Sequence, residues 1–340
     1  MGGIFFIITI CVALFAAYSR KLKDSIRTDS DDEWTPAREV APEKETDSGE
    51  KEATPGAILR PGQYDSEVVV ETGTPEAVPP QPVVSQTPCA PKDVERLFGL
   101  IGKPLGHSSS MVSFKKKFRA EGISADYCNI GLDNAGEIRA LVSNNTRLCG
   151  LNVTIPYKTD VIPYLDRIDD TAREIGAVNV IRIDRSSDNA VLTGYNTDWI
   201  GFSQSLSPML PDAPVKALVL GTGGASKAVC YALKKMGIGY DIVSRSSGFD
   251  ILGYYELSPS VMESHQLIIN CTPLGMSPDK DTCPDIPYAY LTQDHILFDL
   301  VYNPETTLFM QKGLEHGTAV KNGAEMLKIQ AEEAWKIWNN

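Results

Sequence analysis

Cysteine and histidine are too few and too scattered in this chain to suggest a metal centre or a disulfide framework. The seven cysteines are Cys11, Cys89, Cys128, Cys149, Cys230, Cys271 and Cys283, with no C-x-x-C pair among them. The four histidines, His107, His265, His295 and His316, are not paired at metal-ligand spacing. This pattern suggests reduced thiols and no metal site. Positive charge is also scarce. The net charge of −12 argues against nonspecific nucleic-acid binding. No internal repeat of short period is present. Long apolar runs are lacking too, with one exception: GGIFFIITICVALFAAYS, which occupies residues 2–19.

That run is followed at once by Arg20, Lys21 and Lys23. A secretory signal carries its positive charge before the apolar stretch rather than after it. The myristoylation pattern fails because position 6 is Phe6. Seventeen helical residues reach about 26 Å, slightly short of a ~30 Å hydrocarbon core. Residues 1–19 are therefore expected to form a membrane anchor helix, with the rest of the chain on the cytoplasmic side. Residues 20–93 read as a disordered, acidic, proline-rich tether. Residues 24–90 alone hold 15 acids and 5 bases, and residues 24–92 contain only Trp34 and Tyr64 as aromatics. Such a segment cannot bury enough apolar surface to offset the entropy of ordering it.

From Val94 onward short apolar runs alternate with helix-length amphipathic segments. The expected strands are 97–102, 125–130, 148–153, 178–183, 217–221, 241–244, 267–270 and 296–300. Lys227–Met236 and Asn322–Trp338 read as helices. This alternation predicts an α/β fold with parallel sheets, and 340 residues leave room for about two domains.

The stretch ALVLGTGGASKAVCYALKKMG runs from an apolar strand through Gly221, Thr222, Gly223, Gly224 and Ala225 into a helix. Glycines there permit a tight turn and let backbone approach a pyrophosphate, with the helix N-terminus facing the anion. The third glycine of the usual fingerprint is replaced by Ser226, which is small enough for the same packing. The next strand ends in Ser244, Arg245, Ser246 and Ser247 with no acid, whereas an NAD site calls for a carboxylate there to take the ribose 2′-hydroxyl. Arg245 and the serines suit a 2′-phosphate, so the expected cofactor is NADP.

Polar residues recur at other strand ends: Asn152 and Thr154 before Lys158 in GLNVTIPYK, Asn179 in IGAVNVI, and Asn196, Thr197 and Asp198 in GYNTDWIGF. Taken singly they read as surface lysine, helix cap and loop-bonded amide. In GHSSS, Ser108 and Ser110 taken alone read as helix caps, and holding an anion at the helix N-terminus is the sharper alternative.

Eight motifs in order (GHSSS, NVTIPYK, IGAVN, YNTDWIGF, GTGGASKA, INCTPLGM, DLVYNPETTLF and NGAEMLKIQ) resemble the shikimate dehydrogenase family over about residues 96–340. The resemblance implies a substrate-binding α/β domain, residues 94–198 plus 319–340, and a Rossmann-type NADP-binding domain, residues 199–318, with a cleft between them. It implies reversible NADPH-dependent reduction of 3-dehydroshikimate to shikimate, in the pathway to chorismate and the aromatic amino acids. Lys158 and Asp198 are the implied catalytic pair. Ser108, Ser110, Thr154, Asn179, Asp198, Tyr302 and Gln330 are the implied substrate contacts. Gly221 to Ala225, Ser244 to Ser247, Asn270, Thr272, Leu300 and Gly323 are the implied cofactor contacts, with no metal. The chain departs from the family at Met111, where proline is usual, and in having no second basic residue between Arg245 and Lys280. Two other readings remain: a quinate/shikimate dehydrogenase using NAD, and a membrane-tethered binding protein without catalysis. Neither is favoured by the missing acid or by the presence of both Lys158 and Asp198. Oligomeric state is not legible.

Overall fold

The computed structural model describes residues 94–103, 105, 109–187 and 189–340. The expected anchor and tether, and Ser108 with its neighbours 106–107, lie outside the described residues. Among those described, no helix is long and apolar enough to cross a membrane.

Among the described residues, twelve strands form two six-stranded sheets. The first holds β1 (Arg96–Gly102), β2 (Ala125–Gly131), β3 (Leu148–Val153), β4 (Arg167–Ile168), β5 (Val180–Asp184) and β6 (Val191–Tyr195), in the order β2-β1-β3-β5-β6-β4. The second holds β7 (Lys216–Leu220), β8 (Gly239–Ser244), β9 (Ile251–Gly253), β10 (Leu267–Asn270), β11 (Ile296–Asp299) and β12 (Ala319–Lys321), in the order β12-β11-β10-β7-β8-β9. Every pairing in the second sheet is parallel. Its central strands are buried along their length, which is why they appear in the sequence as unbroken apolar runs rather than as alternations.

The first sheet is mixed, against the expectation of parallel sheets. β3 pairs antiparallel with β5, and β5 with β6. Only residues 185–190 join β5 to β6. So short a link permits a hairpin but not the longer crossover that a parallel pair needs. A second correction concerns the domain boundary. Residues 319–321 form β12 and pair with β11, so they belong to the second sheet rather than the first. Cys128 also departs from the reading of free thiols: it is disulfide-bonded, whereas Cys149, Cys230, Cys271 and Cys283 are free.

The helices are α1 (Ser109–Glu121), α2 (Ile138–Asn144), α3 (Tyr157–Asp160), α4 (Asp170–Ile175), α5 (Asp198–Leu206), α6 (Gly224–Lys235), α7 (Pro259–Ser264), α8 (Leu308–Glu315) and α9 (Ala324–Asn339). α9 returns to the first sheet. The Trp338 ring stacks on Phe98 at 4.8 Å and its Nε1 donates to Ile181 O at 3.0 Å. Gly150 leaves the seat for that indole, since a Cβ there would run into the ring. α9 also lies close against α5. A Cβ on Gly201 would come within 2.6 Å of Met326 O, so glycine permits the approach. Removing the Trp338 ring would cost about 3–5 kcal/mol by the usual scale for a large aromatic in a core.

Candidate active site

In open α/β sheets ligands bind beyond the carboxyl ends of the strands, where the strand order reverses. The first sheet reverses between β1 and β3. The two loops leaving there touch: Lys103 N donates to Ile155 O at 3.0 Å, and a Cβ on Gly102 would lie 2.5 Å from Thr154 Cγ2. Thr154 stands in one loop, and Ser110 is buried in the first turn of α1, which follows the other.

After Thr154 the chain turns into α3. Tyr157 is buried and its hydroxyl donates to Leu132 O at 2.6 Å, which rivets this short helix to the core. The next residue, Lys158, donates from Nζ to Asp198 Oδ2 at 2.6 Å, with both side chains largely withdrawn from solvent. Asp198 opens α5, where the helix dipole favours a carboxylate. Its backbone N–H is held by Asn196 Oδ1 at 3.0 Å, while Asn196 Nδ2 donates to Ala177 O at 3.0 Å.

Asn179 is the hub of the arrangement. α4 ends at Gly176, whose φ of 69° is a left-handed conformation suited to glycine. Ala177 and Val178 are fully buried, and Val178 N donates to Lys158 O at 2.7 Å. Asn179 Nδ2 then lies within 2.9 Å of Asp198 Oδ1, 3.0 Å of Thr197 Oγ1 and 3.2 Å of Gln330 Oε1. Its Oδ1 accepts from Thr197 N at 2.7 Å. Behind it, Tyr127 donates to Asn152 Oδ1 at 2.7 Å, and Asn152 reaches Asn179 O at 3.4 Å. Four of the expected residues, Lys158, Asn179, Asp198 and Gln330, are thus joined into one network. Among the described residues, no hydrogen bond joins Ser110, Thr154 or the half-buried Tyr302 to it. Tyr127 was not anticipated; an aromatic in an apolar strand reads as core, and only its buried hydroxyl marks it out.

The second sheet reverses between β7 and β10. Gly221 leaves β7 with φ 109°, and a Cβ there would crowd Thr272 Cγ2 at 3.2 Å. Gly223 borders open space and caps α6 without a side-chain bond, so backbone N–H groups at the start of a 12-residue helix are left for a ligand. Asn270 at the end of β10 accepts from Thr272 N at 3.0 Å and from its hydroxyl at 2.6 Å. Gly323 lies so close to Leu300 that a Cβ would strike its backbone. Arg245 is exposed beyond β8. All the expected cofactor residues therefore lie at or beyond the carboxyl ends of this sheet's strands, and the arrangement fits a dinucleotide with its pyrophosphate on the glycine loop.

The two crevices meet at one point. A Cβ on Gly224, the first residue of α6, would lie 2.8 Å from Lys158 Cβ. The start of the glycine-loop helix and the stem of Lys158 are in direct contact. Asp299, not anticipated, is buried at the end of β11. It accepts from Asn270 Nδ2 at 2.9 Å, Val301 N at 3.0 Å and Thr307 Oγ1 at 2.6 Å. Desolvation outweighs these bonds and raises its pKa to about 6. An acid closing an apolar strand, in ILFD, was its only signal. Desolvation also pushes the Cys271 thiol well above its usual range, so it adds no charge beside the Lys158–Asp198 pair.

A parallel sheet running β9-β8-β7-β10-β11-β12 has the strand order of a dinucleotide-binding Rossmann domain, third-second-first-fourth-fifth-sixth. With a lysine–carboxylate pair set against its glycine loop, the fold and site define a dinucleotide-dependent oxidoreductase. The match to known proteins narrows the class. Residues 100–181 match the model of the shikimate dehydrogenase substrate binding domain. The chain is 37% identical over 255 residues to the shikimate dehydrogenase (NADP(+)) of Aquifex aeolicus, covering 72% of this chain and 91% of that protein. It is 33% identical over 264 residues to the same-named enzyme of Methanococcus vannielii, covering 71% and 90%. The crystal structure of the Aquifex aeolicus shikimate dehydrogenase superposes with a TM-score of 0.63 at 36% identity, over 72% of this chain and 92% of that one. The chain belongs to the shikimate dehydrogenase family.

Proposed function

We propose that this protein catalyses the reversible NADPH-dependent reduction of 3-dehydroshikimate to shikimate. The observation that carries the reading is the Lys158–Asp198 pair, bonded at 2.6 Å and touching Gly224 of the glycine loop. The dinucleotide, when bound, supplies the hydride. Lys158 holds a proton at Nζ and passes it to the oxygen of the reduced carbonyl; in reverse its neutral amine takes the proton back. Asp198 fixes the ammonium through a charge-assisted bond, and Asn179 fixes Asp198. Ser108, Ser110, Thr154, Asn179, Asp198, Tyr302 and Gln330 bind the substrate's carboxylate and hydroxyls. Glycines 221, 223 and 224, with Thr222 and Ala225, take the pyrophosphate; Arg245 with Ser244, Ser246 and Ser247 takes the 2′-phosphate. Asn270, Thr272, Leu300 and Gly323 line the rest of the dinucleotide's path. The two α/β regions carry substrate and NADP respectively.

The test is NADPH oxidation by the full-length chain with 3-dehydroshikimate, alongside NADH and quinate arms. Turnover is expected with NADPH and should fall by about 10²-fold or more in Lys158→Ala, the usual loss with a general acid. Near-normal kcat in that variant would remove Lys158 from the role.

For the segment before residue 94, the uncharged run followed by RKLK supports a tether that keeps the enzyme on the cytoplasmic side of a membrane. Full-length protein should pellet with membranes and resist carbonate extraction. Recovery of the intact chain in the soluble fraction would refute the tether and leave the catalytic reading untouched.

A further inference from the structure

Parallel neighbours are ordinarily joined by a crossover of a dozen or more residues, most often a helix. β8 and β9 are parallel neighbours joined by residues 245–250 alone. The parallel register sets Ser244 beside Gly253, so Arg245 and the Tyr254–Tyr255 pair leave the sheet side by side, on strands about 4.8 Å apart. The loop is tightly closed: Gly248 and Ile251 exchange two backbone bonds of 3.0 and 3.2 Å, and Asp250 adopts φ 59°.

Tyr255 is the residue this packing does not explain. It is 79% exposed, so little apolar burial holds it. Yet its ring lies across Gly253, where a Cβ would strike it, and its hydroxyl is 2.8 Å from Ser247 Oγ. In such a pair one hydroxyl donates to the other, and the second proton is left to donate outward. A phosphate monoester carries close to two negative charges and three strong acceptor oxygens. Arg245 is the only Arg or Lys between residues 245 and 279, and its fork satisfies at most part of that demand.

We propose that the Tyr255 and Ser247 hydroxyls complete the 2′-phosphate site with Arg245, making Tyr255 a determinant of NADP over NAD. The inference rests on the NADP reading above. The hydroxyl pair takes the place of a second cation, and the helix-free crossover is what brings Tyr255 within reach of the loop.

The test is titration calorimetry on the full-length chain with two probes differing only in the 2′-phosphate: adenosine 2′,5′-bisphosphate and adenosine 5′-monophosphate. Tyr255→Phe keeps the exposed ring and removes only the hydroxyl. It should weaken the bisphosphate roughly tenfold or more and leave the monophosphate within about twofold, as befits one hydrogen bond to a charged group. Ser247→Ala should do the same, and the double variant should be little worse than either single, because the pair acts as a unit. An unchanged affinity ratio in Tyr255→Phe, or equal weakening of both probes, would overturn the proposal. So would a wild-type chain that binds both probes equally, even if it turned over with NADH. Probe selectivity that behaves as expected in a chain without NADPH turnover would instead overturn the catalytic reading and leave this site standing.

Discussion

Asp198→Asn isolates the part of the site that the network was built to hold. The carboxylate meets a donor on each side: Lys158 Nζ on Oδ2 at 2.6 Å and Asn179 Nδ2 on Oδ1 at 2.9 Å. An asparagine offers one acceptor oxygen and one NH₂, so in either orientation its amide faces a donor. Asn179 has other acceptors in Thr197 and Gln330, which makes the cheaper arrangement the one that keeps oxygen on Lys158. The bond to Lys158 then drops from charge-assisted to neutral-acceptor strength, a loss of about 1–1.5 kcal/mol, and the donor–donor contact with Asn179 adds about 1 kcal/mol. The sum of ~2–2.5 kcal/mol corresponds to roughly 30- to 70-fold in kcat. The KM for 3-dehydroshikimate should rise as well, because Asp198 is also proposed to touch substrate, while the KM for NADPH should hold. Steady-state NADPH oxidation, with a thermal melt to establish that the variant is folded, gives all three numbers. A folded variant with kcat within threefold of wild type would mean that Lys158 does not depend on Asp198, and the reasoning would fail at that point.

Two further outcomes follow from the same geometry. Gly224→Ala places a methyl 2.8 Å from Lys158 Cβ; it should lower kcat by roughly tenfold or more, the scale of a small misplacement at a reacting group, whereas Gly223→Ala, which meets open space in the protein, should chiefly raise the KM for NADPH. For Asp299, folding raises the pKa from 3.8 to about 6, so the folded state favours the protonated acid. The associated stability is fully present below pH ~4 and is lost as pH rises through about 6, by at most about 3 kcal/mol. In Asp299→Asn the Thr307 hydroxyl can turn from donor to acceptor, so the variant should fold. The melting temperature of wild type relative to this variant should be higher near pH 5 than near pH 7.5, and a difference independent of pH would show that Asp299 ionises as freely in the folded chain as in the unfolded one.

The features legible in the sequence are local ones. Short unbroken apolar runs such as LII and ALVL are buried strands because burial on both faces demands unbroken apolar character, and the glycine loop is recognisable because strand, turn and helix are contiguous. The absence of an acid after β8 likewise needs only a few neighbouring residues. The strands that went unread are those whose pairing is set by a neighbour: β4 has two residues, β9 and β12 three each, too few for a period to show. β6 alternates but sits in a hairpin whose short link, not its composition, makes the first sheet mixed. Which of the site residues bond to one another is set by tertiary packing. Asn179 and Gln330 are 151 positions apart and meet only because α9 crosses back, seated by Gly201 and Gly150. Lys158 and Asp198 stand 40 positions apart, and their bond depends on an amide from a third segment and on Gly224 from the other sheet. Tyr255 reads as an ordinary surface aromatic until the short β8–β9 turn sets its hydroxyl beside Ser247. Side-chain chemistry and local period are carried by adjacent residues; a hydrogen bond between distant ones exists only once packing has brought their backbones to within a few ångströms.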